Sequence, residues 1–104
     1  MPQLQNYVTS SGENTATASV LSTAGFLYGI MVVTDGSNDV TIDLHDNASA
    51  ASGDKLVPTM VLNAVSNSRV IYIPFSVPIA YSKGVYATIT TSGTVKYNLY
   101  YRQQ

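Results

Sequence analysis

An antiparallel β-sandwich of about eight short strands, jelly-roll-like in its connections, is the fold that three observations predict. Apolar residues recur with a period of two along most of the chain, with valine, isoleucine, tyrosine and threonine well represented. Turn-forming residues interrupt that pattern roughly every 8–12 positions, and no stretch sustains a helical period. The chain has neither cysteine nor tryptophan, the marks of an immunoglobulin-type core, and closely spaced prolines suggest corners where strands pass between sheets. A length of 104 residues makes one domain able to bury a core without metal or disulfide.

Residues 1–14 are mostly polar, with Tyr7 and Val8 as an isolated apolar pair, and read as an N-terminal arm or as a first strand. The sandwich domain is expected over 15–104. Thr15 to Ala24 is rich in small and β-branched residues and reads as a strand; a helix from Ser19 is opposed by Gly25, Gly29 and the Val-Val-Thr that follows. Phe26 to Thr34 and Val40 to His45 read as a central hairpin closed at Asp35-Gly36. In its first strand Phe26, Tyr28, Ile30 and Val32 are expected on one face and Leu27, Met31 and Val33 on the other, with Gly29 fitting a bulge. Both faces are then apolar, whereas the return strand separates Val40, Ile42 and Leu44 from Thr41, Asp43 and His45.

Asp46 to Asp54 reads as a loop that packs against nothing, and Pro58 marks the following strand, with Leu56, Met60 and Leu62, as an edge or a bend. A turn is expected over Asn63–Ser68. Arg69 to Phe75 is again apolar on both faces, and Pro74 and Pro78 predict a corner into the other sheet before a short strand at Ile79–Tyr81. After Ser82-Lys83-Gly84, the segments beginning at Val85 and Val95 alternate cleanly and read as a second hairpin turned at Ser92-Gly93.

Only 11% of the residues are charged, against about 25% in ordinary domains, and serine, threonine and asparagine fill the polar positions. Such a surface tolerates contact with other molecules. All six acids precede residue 55 and all five bases follow residue 54, so opposite charges are sorted along the chain. A net charge of −1 without a basic cluster argues against nucleic acid. No run approaches 18 apolar residues, and Met1-Pro2-Gln3-Leu4 lacks the basic and apolar regions of a secretory signal. The expectation is a soluble chain that begins near Met1 and does not engage a membrane.

Asp43 and His45 share a strand face, yet no third ligand or nucleophile stands at a recognisable spacing, and the acids around Asp35 and Asp39 lack the order of a calcium loop. No catalytic residue, metal or cofactor is therefore expected. Tyr86 and Tyr100, facing away from the core on what reads as adjacent strands, form a candidate platform for a sugar or a protein.

Two segments, VTIDLHDNASAASGDKLV (Val40–Val57) and GVYATITTSGTVKYNLYYR (Gly84–Arg102), resemble small virion proteins of tailed bacteriophages. Shared features are a valine-rich strand, an Asp-Asn-Ala-Ser loop ending in Ser-Gly, a Gly-Val-Tyr, a Gly-Thr turn and a terminal Tyr-Tyr-Arg. The resemblance implies a capsid decoration (cement) protein on the virion surface, often a homotrimer, with the major capsid protein as partner; it carries no active site. On that expectation the two-sided strands supply contacts between subunits through Leu27, Met31, Val33, Ile71, Ile73 and Phe75, while the segment holding Tyr7 and Val8 reaches the capsid. The alternative is a receptor- or glycan-binding module of a tail or head fibre, with Tyr86 and Tyr100 as its platform.

Overall fold

The computed structural model describes residues 8–63 and 70–104. Eight strands follow one another along the chain: β1 (Thr9–Ser10), β2 (Ala18–Leu21), β3 (Gly25–Thr34), β4 (Val40–His45), β5 (Met60–Leu62), β6 (Val70–Tyr81), β7 (Val85–Thr90) and β8 (Val95–Gln103). They form two antiparallel four-stranded sheets, the first in the order β1-β8-β3-β6 and the second β2-β7-β4-β5. Chain-distant strands pair in a nested way, β1 with β8, β2 with β7, β3 with β6 and β4 with β5. That nesting is a long hairpin rolled over on itself, the jelly-roll connectivity. Of the consecutive strands only β4 and β5 share a ladder, so nearly every connection crosses from one sheet to the other.

This topology corrects both expected hairpins. β3 pairs with β6 and β8, and β4 with β5 and β7, so Asp35-Gly36 opens an arch between sheets. Only Gly36 has positive φ in that connection, 76°, whereas a two-residue type I′ hairpin needs positive φ at both central positions. Likewise β7 lies in the second sheet and β8 in the first. An alternating pair of strands satisfies its apolar faces equally well side by side or face to face across a core, and the periodicity is the same in both cases.

Leu27, Ile30, Val32, Val40, Ile42, Leu44, Val85, Ala87 and Leu99 are fully buried between the sheets, and no described polar or charged residue is buried with them. On β3 the inward set is Leu27 with Ile30 and Val32, because the register shifts between Leu27 and Gly29. Strict alternation would have placed Leu27 outside. The bulge flips its side chain inward and leaves Phe26, Tyr28, Met31 and Val33 outward. Gly29 is required where it sits, since an added Cβ would lie 2.9 Å from the carbonyl oxygen of Ile73.

The expected corner at Pro74 and Pro78 is also corrected. β6 runs unbroken from Val70 to Tyr81 beside β3, and the two prolines bracket a bulge in which residues 75–78 lie opposite Tyr28 alone. As an edge strand, β6 has ladder partners on one side only, so missing N–H groups are tolerated. The edge position inferred from Pro58 agrees with β5, the outermost strand of the second sheet. At the N-terminus Thr9 and Ser10 pair with Tyr101 and Tyr100, and Asn14 bridges to Tyr97, so this part of the segment is a first strand of the domain's own sheet. Tyr7, Arg69 and the expected turn after Asn63 lie outside the described residues.

Candidate functional site

The outward positions of the first sheet build a continuous apolar face. β3 contributes Phe26, Tyr28, Met31 and Val33, β6 adds Val70, Tyr72 and Pro74, β8 adds Tyr100, and Val8 sits at the β1 edge. Val70 is 64% exposed and Tyr72 49%, so the face is open to solvent. Tyr72 and Tyr100 meet edge to face, with ring centroids 5.8 Å apart and planes at 80°. An open groove of about 470 Å³ runs among Val8, Tyr28, Met31, Tyr72, Pro74, Phe75 and Tyr100. At one end the guanidinium of the half-buried Arg102 lies 5.3 Å from the centroid of the Phe26 ring, within reach of a cation–π contact.

Of the contact residues expected from the sequence, Val8, Met31 and Val33 lie on this face, and Phe75 lines the groove while packing against the core. Leu27 is excluded from it, being wholly buried. Ile73 points to the core side of β6 and Ile71, half-buried, alternates with the outward Val70 and Tyr72. The outward β6 residues were therefore the missed ones. Their signal was the alternation in VIYIPF, which identifies two faces without saying which one meets the core.

Tyr86 and Tyr100 do not form a platform. They lie on different sheets, with Tyr100 half-buried beside Tyr72 and Tyr86 half-buried opposite His45 on the second sheet. The Ser19 hydroxyl donates to the carbonyl of Ala48 at 2.5 Å, drawing the 46–54 loop from β4 across β7 to β2. That loop thus packs on its own domain, contrary to expectation. Asn47 organises it, accepting from the amides of Ser49 and Ala50 and donating to Ser52.

Asp35, Asp43 and Asp46 are held in structural roles. Asp35 accepts from the amides of Ser37 (2.8 Å) and Asn38 (3.0 Å), the Asn38 side-chain amide (3.0 Å) and the amide of Thr94 (3.1 Å), which together hold it well below the usual carboxylate range. Asp43 is lowered by the Thr59 hydroxyl and by Lys55, whose ammonium lies 3.0 Å away. Burial acts to raise Asp46, but the amides of Ser82 and Lys83 and the Ser82 hydroxyl outweigh it. Asp43 therefore turns toward Lys55 and Thr59, and His45 Nδ1, shielded from solvent, has no hydrogen-bond partner among the described residues. No cluster of three potential metal ligands occurs among the described residues.

What remains chemically distinctive is the aromatic face, whose rings are suited to contact and stacking. Comparison with known proteins adds no relative: no protein-family model, curated protein or solved structure matches the chain.

Proposed function

We propose that this chain is a structural virion protein, a capsid decoration protein that sits on the outer surface of a phage head and stabilises it by bridging capsomers, with no catalytic role. The carrying observation is the open apolar face of the first sheet, which a freestanding domain of this size would otherwise expose to water. A rigid β-domain with few charges suits repeated docking on a shell, where many modest interfaces combine into high avidity. The resemblance of Val40–Val57 and Gly84–Arg102 to small phage virion proteins supports the same reading. Homotrimers on the head, contacting the major capsid protein, are the form in which the chain would act.

Quantitative mass spectrometry of purified particles tests the proposal. Hundreds of copies per particle, lost together with head stability when the gene is deleted, are expected. A handful of copies located at the tail would overturn it in favour of a receptor- or glycan-binding role.

A further inference from the structure

Resting on the decoration reading, the geometry points to one occupant for the apolar face of the first sheet: a different protein presenting a flat apolar patch rimmed by carboxylates, and not a second copy of this chain. Two cations, Lys96 and Arg102, are the only charged residues on the four strands of that sheet. Both project outward, Lys96 level with Val33 and Arg102 level with Phe26. Six residues of extended strand separate them by about 20 Å. Between them lie Tyr28, Met31, Tyr72 and Tyr100, with Asn98 opposite Met31 donating to Ser10, so the face is a mostly apolar stripe with a positive charge at each end.

A second copy fits this stripe poorly in each arrangement. Two-fold pairing sets the face against itself and brings two Lys96 and two Arg102 together with no acid on the four strands of either copy's first sheet, Glu13 standing only at its β1 edge, an arrangement with more like than opposite charge that opposes association. Stacking the face on the acid-bearing second sheet of the next copy joins opposite sides of the sandwich, a head-to-tail contact that favours an open fibre over a closed pair. Asp43 and Asp46 are, moreover, already engaged by Lys55 and Thr59 and by Ser82 and Lys83. Edge pairing through β6 is blunted by Pro74 and Pro78, which lack N–H groups, and by the bulge between them. An acid-rimmed foreign surface satisfies both cations and covers the stripe at once. On the virion this is the shell.

Purified heads lacking the chain provide the probe, and binding is measured for wild type, the K96E/R102E and K96Q/R102Q double variants and Lys83→Glu, a charge change off this sheet. Wild-type binding that weakens with salt, falls about tenfold or more in K96E/R102E, falls less in K96Q/R102Q and is kept in Lys83→Glu is the expected result. Circular dichroism on each variant separates lost contacts from lost folding. If wild type and K96E/R102E bind the heads equally well, the acid-rimmed partner is refuted while decoration stands. If wild type sediments as dimers, trimers or fibres that Met31→Lys dissolves, a second copy is the occupant and the inference is overturned, whereas trimers that persist in Met31→Lys are held by another surface and leave it standing. Failure of wild type to bind any head removes the decoration reading, and this inference with it.

Discussion

Asp35 ties two inter-sheet arches together: its carboxylate closes the turn after β3 and reaches the amide of Thr94 before β8. Because its folded pKa lies below the ordinary value of about 3.9, its contribution is fully present above that value and is lost as pH falls through the depressed range. Acid titration of wild type is expected to show unfolding below about pH 4, with Asp43 and Asp46 adding in the same direction; Asp35→Asn should be less stable at neutral pH and less sensitive to acid. Gly93 is the packing partner of this carboxylate. A Cβ there would stand 2.0 Å from Asp35 Oδ2, which its hydrogen bonds hold in place, so Gly93→Ala is expected to cost about 1–3 kcal/mol in urea unfolding. At the alkaline end, burial first, with Tyr101 beside Tyr81 and Tyr86 beside Tyr97, pushes both phenols up to about 12. They stay protonated in the fold, so the stability they provide below about pH 10 is expected to fall as the pH rises toward 12, which melting curves would show.

The bulge in β3 decides which residues are core and which are surface. Leu27→Ala removes a fully buried side chain and is expected to cost about 2–5 kcal/mol, whereas Met31→Ala, two strand positions past the bulge on the outer face, should cost well under half as much in the same denaturation experiment. Gly29→Ala crowds the Ile73 carbonyl and is expected to destabilise by about 1–3 kcal/mol. The bulge itself was legible, since a glycine within an otherwise β-branched run reads as one. Its consequence for Leu27 was not, because a register slip inverts every side chain on one side of it and alternation alone does not place the slip. β6 repeats the lesson: two prolines four positions apart announce an irregularity, but an edge strand absorbs it as a bulge where a central strand would have had to break.

At the scale of the whole molecule the sorted charges acquire a spatial meaning. Asp43, Asp46 and Asp54 lie on the second sheet and its loop and Asp35 and Asp39 in the arch between β3 and β4, while β8 carries two cations on the first sheet, with Glu13 alone among the acids beside it. A Met31→Lys/Tyr72→Lys variant is expected to fold with near-normal stability, because both side chains lie outside the core, yet to lose attachment to heads; co-sedimentation alongside chemical denaturation checks both parts. By itself the chain determined the all-β class, the strand count, the edge marked by Pro58 and the surplus of apolar strand surface, since each follows from local periodicity and turn chemistry. Which strands pair, that Tyr86 and Tyr100 look in opposite directions, and that Leu27 faces inward while Tyr72 faces water were decided only in three dimensions. Arches and hairpins, and the two apolar faces of one strand, are locally equivalent; closing a core between two sheets breaks that equivalence.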